Sequence, residues 1–237
     1  MRAIAIIPAR GGSKRIPRKN IKEFSGLPII AHSITTALAS GCFEKVIVST
    51  DDHEIAKIAL QYGADVPFLR PNVIADDYSG TIPVIAHAID FYKQQNQFWD
   101  YACCLYATAP FVRVEDIQAG AKLIDDENSV GQNIRYVFSV AEYSYPIQRA
   151  LSRSATGITG MLNPENFNLR SQDLVTSYHD AGQFYWGKAD AWLNQEPIFN
   201  VNALSVVLPH YRVQDIDTLD DWKRAELMHQ ALMQTGD

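Results

Sequence analysis

Cysteine is scarce: three residues in 237, an odd number, which argues against a framework of disulfides. Cys103 and Cys104 are neighbours inside an apolar run and Cys42 follows Gly41. All three read as core or loop thiols, and a reducing, cytoplasmic setting is expected. No run approaches the ~20 apolar residues of a membrane span, so no membrane partner is expected. The first apolar run is too short for a signal peptide and stops at Pro8-Ala9-Arg10. Low-complexity tracts and internal repeats are absent as well. With a net charge of −6 the chain lacks the overall basic balance of nucleic-acid binders, and no nucleic-acid partner is expected. Acid is missing from one stretch only: none precedes Glu23.

A hydrophobic content of 47% can fill a sizeable core, and the length suits one large domain over 1–237. Apolar runs at 3–7, 45–50, 66–69, 101–106 and 135–140 read as strands. Helical patterns occupy 29–40, 53–62, 81–95 and 116–125, with Gly41 and Gly63 placed as C-terminal caps and Asp52 as an N-cap. Such alternation predicts an α/β, doubly wound, mostly parallel sheet that binds ligand beyond the carboxyl ends of its strands. The loops at Pro8, Thr50, Arg70 and Tyr106 would then share one rim. From about 143 to 177 no long helical period appears, and an inserted hairpin-rich segment is expected. Strands resume at 184–187 and 204–208, and a last helix covers 218–233.

The acid-free stretch holds the first candidate site. Directly after the first strand come Pro8-Ala9-Arg10-Gly11-Gly12-Ser13-Lys14-Arg15-Ile16-Pro17-Arg18-Lys19-Asn20. Seven of the chain's 21 Lys and Arg lie in residues 1–22. Gly11 and Gly12 can take positive φ and bring backbone N–H groups close to a ligand. Arg10, Lys14, Arg15, Arg18 and Lys19 would surround it. This points to a polyanion, most simply a nucleoside triphosphate, although a solvated basic loop has the same composition. Neither G-x-x-x-x-G-K-[ST] nor G-x-G-x-x-G is present.

The stretch resembles the P-A-R-G-G-S-K-x-x-P-x-K-N signature of cytidylyltransferases that activate nine-carbon α-keto acid sugars, with every fixed position present from Pro8 to Asn20. The resemblance extends over nearly the whole chain. It implies a Rossmann-like nucleotidyltransferase fold, with CTP as substrate and Ala9, Arg10, Gly11, Gly12, Lys14, Lys19 and Asn20 on the nucleotide. Arg70-Pro71 and the segment from Ile74 to Thr81 resemble the family's second nucleotide segment, which supplies Arg70, Ser79 and Thr81; one of the two hydroxyls could equally be a helix N-cap. Tyr106 stands where the sialic acid branch usually carries Gln.

Asp215-Ile216-Asp217 is the second strong signal. In extended chain, residues i and i+2 face the same side, so two carboxylates converge and suit Mg²⁺ whose octahedron substrate phosphates complete. The same residues could instead cap the following helix, with Asp221 completing a capping box. Position and context resemble the family's metal-binding D-x-D. Leu169-Arg170-Ser171-Gln172-Asp173-Leu174 and Asp180-Ala181-Gly182-Gln183-Phe184-Tyr185-Trp186-Gly187 resemble its sugar-binding part, with departures that match the pseudaminic acid branch. Sugar contacts are thereby implied for Tyr106, Arg149, Arg170, Gln183 and Tyr185. The resemblance also implies a homodimer in which the 143–177 insertion crosses to the neighbouring subunit and brings Arg149 to its sugar carboxylate.

The expected reaction joins CTP and pseudaminic acid into CMP-pseudaminic acid and pyrophosphate, serving bacterial surface glycans or flagellin glycosylation. Arg10, Lys19, Asp215 and Asp217 carry it. Rivals are the same reaction on sialic, legionaminic or 3-deoxy-octulosonic acid, or a catalytically silent nucleotide-binding module. The intact cation loop and the acidic pair argue against a silent module.

Overall fold

The protein is described by a computed structural model covering residues 1–75, 80–126 and 133–235. Among these, ten strands and six α-helices follow one another. The sequence opens with β1 (Ala3–Pro8), the short pair β2 (Glu23–Phe24) and β3 (Leu27–Pro28), and α1 (Ile29–Ala39). Next come β4 (Lys45–Ser49), α2 (His53–Gln61), α3 (Thr81–Lys93), β5 (Tyr101–Leu105), α4 (Val114–Asp125) and β6 (Tyr136–Glu142). The hairpin β7 (Leu151–Arg153) and β8 (Thr159–Met161) precedes β9 (Tyr178–Lys188), α5 (Ala189–Leu193), β10 (Ala203–Val207) and α6 (Leu219–Thr235).

The main sheet has the order β10-β6-β9-β5-β1-β4. It is mostly parallel, as the βα alternation predicts: β1 pairs in parallel with β4 and β5, and β10 with β6. β9 alone runs against its neighbours, with Cys104 opposite Tyr185 and Val137 opposite Trp186. β1 shows why the apolar runs are nearly continuous. Ala3, Ala5 and Ile7 enter the core shared with Ile30, Ile34, Ile117 and Ile124, while Ile4 and Ile6 enter the one shared with Ile85, Ile89 and Trp192. Helices cover both faces, so β1 is apolar on each side.

Three expectations are corrected. Residues 66–69 form no strand, only isolated parallel bridges of Ile47 to Asp65 and Thr50 to Leu69. Pro67 has no N–H to give a ladder, and the segment stays at the edge. The strand expected at 184–187 runs eleven residues, because its first half pairs with β6 across a register shift between Phe138 and Val140. Neither Gly11 nor Gly12 takes a positive φ; in the cation loop that conformation falls to Arg18, at φ 56.

A third cluster fixes the site. Ile16 of the cation loop packs with Phe24, Ile29, Phe111, Trp222 and Ile216. Ile16 and Ile216 are each only 1% exposed. Burial of these two residues seats the segment before α6 against the loop after β1, although the two are far apart in sequence.

Candidate active site

A cleft of about 350 Å³ opens at the carboxyl ends of β1, β4 and β5. Arg10, Lys14, Lys19, Asn20, Arg70, Thr81, Tyr106 and Asp217 all line it, joined by Ser13, Arg15 and Thr108. The nucleotide residues expected from sequence thus converge, apart from Ala9, Gly11 and Gly12, which do not line the cleft, and Ser79, which lies outside the described residues.

The loop is held from behind. Gly11 N–H donates to Asp51 Oδ1 at 2.9 Å, and a Cβ on Gly11 would sit 2.8 Å from Asp52 Oδ2. Arg18 turns away from the cleft and forks onto Asp52, at 2.5 and 2.9 Å, and onto Glu54. That fork is the main cause of the Asp52 carboxyl lying at about 2. Asp52 also caps α2 through the N–H groups of Glu54 and Ile55. Asn20 is 8% exposed and donates its amide to the carbonyl oxygen of Arg10 at 2.9 Å, tying the two ends of the loop. Asp51 and Asp52 as loop anchors were not read from sequence. The signal was the parallel pairing of two adjacent strands, which brings the residues after Ser49 beside those after Pro8.

Arg70 is 6% exposed; its Nε donates to Ser49 Oγ at 3.1 Å and its Nη2 to the Ser49 carbonyl. Burial lowers it to about 10, against the nearby charge of Asp51. It therefore remains a cation at neutral pH, aimed into a poorly hydrated corner. Thr81 Oγ1 and Tyr106 OH are 2.8 Å apart on the opposite wall. Burial raises the Tyr106 phenol to about 12.

The acidic pair is set by α6. Thr218 and Asp221 form the cap: Asp221 Oδ2 accepts from Thr218 N at 2.8 Å, and Thr218 Oγ1 accepts from Asp221 N at 3.2 Å. The Asp217 carboxylate is left to Arg15 at 2.9 Å and Lys19 at 3.5 Å. The Asp215 carboxyl is held above its ordinary value, first by lost hydration and then by the charge of Asp217, with Lys19 opposing. Two hard oxygen donors this close in the chain, with the charge of Asp217 felt at Asp215, fit a divalent cation such as Mg²⁺. No group of three or more His, Cys, Asp or Glu converges among the described residues, so substrate oxygens would complete its shell.

The expected sugar residues scatter. Tyr106 lines the cleft. Tyr185 is buried against it, ring centroids 5.3 Å apart, and donates from its hydroxyl to Asp180 Oδ2 at 2.5 Å. Gln183 is buried, with its amide donating to the Arg212 carbonyl at 2.6 Å. Arg149 and Arg170 lie in the insertion, outside the cleft of their own chain. Arg149 donates to the Leu169 carbonyl, and Arg170 pairs with Asp173 at 2.8 Å. Sequence reasoning missed a second cavity of about 260 Å³ beyond Asp215, to which His179, Asp180, His210 and Arg224 contribute.

Residues 4–215 match the family described as Cytidylyltransferase. The chain is 44% identical over 230 residues to pseudaminic acid cytidylyltransferase of Campylobacter jejuni, covering 97% of each. It is 34% identical over 244 residues to CMP-N,N'-diacetyllegionaminic acid synthase of Legionella pneumophila, covering 98% of this chain and 100% of that one. Among solved structures, a CMP:2-keto-3-deoxy-manno-octonic acid synthetase complexed with CTP shares the fold at a TM-score of 0.69 and 17% identity, over 98% of this chain and 100% of the other.

Proposed function

Because this chain belongs to the cytidylyltransferase family, we propose that it transfers the cytidylyl group of CTP to pseudaminic acid, a nine-carbon α-keto sugar acid. The observation that carries the reading is the single cleft in which Arg10, Lys14, Lys19 and Arg70 face Asp217.

In the reaction the anomeric hydroxyl oxygen bonds to the α-phosphorus, the bond from that phosphorus to the bridging oxygen breaks, and pyrophosphate leaves with those electrons. The hydroxyl proton passes to solvent. Little covalent chemistry falls to the protein, so its contribution is positioning and charge. Arg10 and Lys14 meet the β- and γ-phosphates, and Lys19 stands between phosphate and the acidic pair. Arg70 offers a buried, weakly hydrated cation to the nucleotide. Thr81 and Tyr106 shape the opposite wall, and Asn20 acts by holding the Arg10 carbonyl. Asp215 and Asp217 would hold Mg²⁺, which when bound neutralises phosphate charge and lowers the pKa of an oxygen it touches.

The assembly belongs to the same proposal. Exposed apolar side chains collect in the insertion: Tyr145 is 84% exposed, Phe167 71% and Val175 80%. A two-fold contact would bury the same patch on both chains and carry Arg149 to the neighbour's sugar. We assign the protein to the cytoplasm, where CTP is available.

Purified protein incubated with CTP, Mg²⁺ and pseudaminic, legionaminic, sialic or 3-deoxy-octulosonic acid tests this, with pyrophosphate as the readout. The expected result is release with the highest kcat/KM for pseudaminic acid. A preference for another acid moves the substrate; release with none leaves only a silent nucleotide-binding module.

A further inference from the structure

The second cavity offers the acceptor a place. Asp217 lines the nucleotide cleft and Asp215 lines the cavity of about 260 Å³ beside it, so the acidic pair stands between two openings. Residue 216, between them, is buried and turned the other way. The acceptor hydroxyl must meet the α-phosphorus next to this pair, and the nucleotide side is already supplied with cations. The acceptor therefore belongs on the Asp215 side. An α-keto sugar acid brings a carboxylate with it, and that carboxylate needs a cation that no other group has taken.

Most arginines near the rim are engaged. Arg15 is paired with Asp217, Arg18 with Asp52, and Arg212 with Asp116. Asp180, on the cavity wall, is also spoken for: its Oδ1 accepts from Gly182 N at 2.9 Å and its Oδ2 from the Tyr185 hydroxyl. Arg224 lines the same cavity from α6, and its guanidinium has no ion pair or hydrogen bond among the described residues. α6 is fixed to the site by Trp222 and Ala225, which bracket Arg224 and join the buried cluster with Ile16 and Ile216.

We propose that Arg224 is an acceptor-recognition residue supplied by the chain itself: beside the Arg149 that the neighbouring subunit would bring, it takes the carboxylate of the α-keto sugar acid in the cavity beside Asp215, as a bidentate fork. This rests on the cytidylyl-transfer reading, and its test separates the two. Initial rates are measured for the unmodified enzyme, Arg224→Gln and Arg224→Lys, with CTP and either the keto sugar acid or its methyl ester. Loss of a charge-assisted contact should raise the KM for the acid at least ~10-fold in Arg224→Gln, while the KM for CTP stays within about twofold. The unmodified enzyme should prefer acid to ester by a similar factor, and Arg224→Gln should lose that preference. Arg224→Lys should recover part of it. Because Arg224 is exposed and unpaired, the variants should melt with the unmodified protein. An unchanged acid-to-ester preference in Arg224→Gln, or none in the unmodified enzyme, overturns the assignment. An unmodified enzyme inactive with every keto sugar acid overturns the reading on which it rests.

Discussion

Lys19 donates from Nζ to the carbonyl oxygen of Ile216 at 2.6 Å, across 197 positions of sequence. One ammonium thereby joins the cation loop to the acidic segment, and it also lies 3.5 Å from Asp217 Oδ1. Positive and negative halves of the site are registered to each other by this contact and by the burial of Ile16 against Ile216 beneath it.

Asp217 and Thr218 should separate catalysis from stability. The cap on α6 is made by Thr218 and Asp221, so Asp217→Asn should keep its melting temperature and lose roughly 3 kcal/mol of transition-state stabilisation, about a hundredfold in kcat. Thr218→Ala should cost about 1 kcal/mol, lowering Tm by roughly 2–4 °C, with specific activity unchanged. Thermal melts paired with pyrophosphate release decide it; an Asp217→Asn protein that melts early but turns over normally would reverse the assignment.

Gly11 and Gly12 are adjacent but not equivalent. A methyl on Gly11 meets Asp52, which is fixed by Arg18 and by its cap, whereas nothing lies within 4 Å of one on Gly12. Gly11→Ala should therefore lower Tm by several degrees, roughly the loss of one cap, and Gly12→Ala should not. Equal melts would show that the Asp52 contact is not what requires glycine.

His229 should make stability pH-dependent. Its ring packs on Phe24 and His32, its Nδ1 is buried without a partner, and burial followed by the charge of His32 lowers its pKa. A histidine neutral in the fold takes up its proton on unfolding, so this stability is complete above about 6.5 and is lost as pH falls through the folded value. Between pH 7 and 5.5 the urea midpoint of His229→Gln should fall less than that of the parent. Parallel curves would clear His229 of the effect.

The proposed exchange between subunits predicts complementation. Mixing Arg149→Ala with Asp217→Asn chains should restore about a quarter of full activity, because half the dimers are mixed and each keeps one intact site. Sedimentation as a fully active monomer, or no recovery after mixing, would confine Arg149 to its own chain.

The cation loop was legible in sequence because its residues are contiguous, and Asp215 and Asp217 because extended chain turns alternate residues to one side. The alternation of strands and helices likewise exposed the mostly parallel sheet. What stayed hidden depends on pairing between distant segments. Asp51 behind Gly11, Arg15 on Asp217 and Arg224 beside Asp215 carry no local pattern. Gln183 and Tyr185 occupy alternate positions, which suggested a face open to sugar, yet β9 is enclosed on both sides and both residues are buried. The run at 66–69 looked like a strand by composition, and the proline inside it decided otherwise.

β9 carries a consequence for how the molecule comes apart. Among the described residues it supplies every hydrogen-bonded link between β4-β1-β5, which bears the cation loop, and the pair β6-β10. Losing it would leave two parallel fragments with no backbone ladder between them. β9 is thus a hinge pin: partial opening that spares it leaves the halves aligned, and opening that takes it is global unfolding. The amides of residues 184–186 should accordingly be the last to exchange with solvent deuterium, at the rate of whole-molecule unfolding, while those of β7 and β8 exchange through local fluctuation.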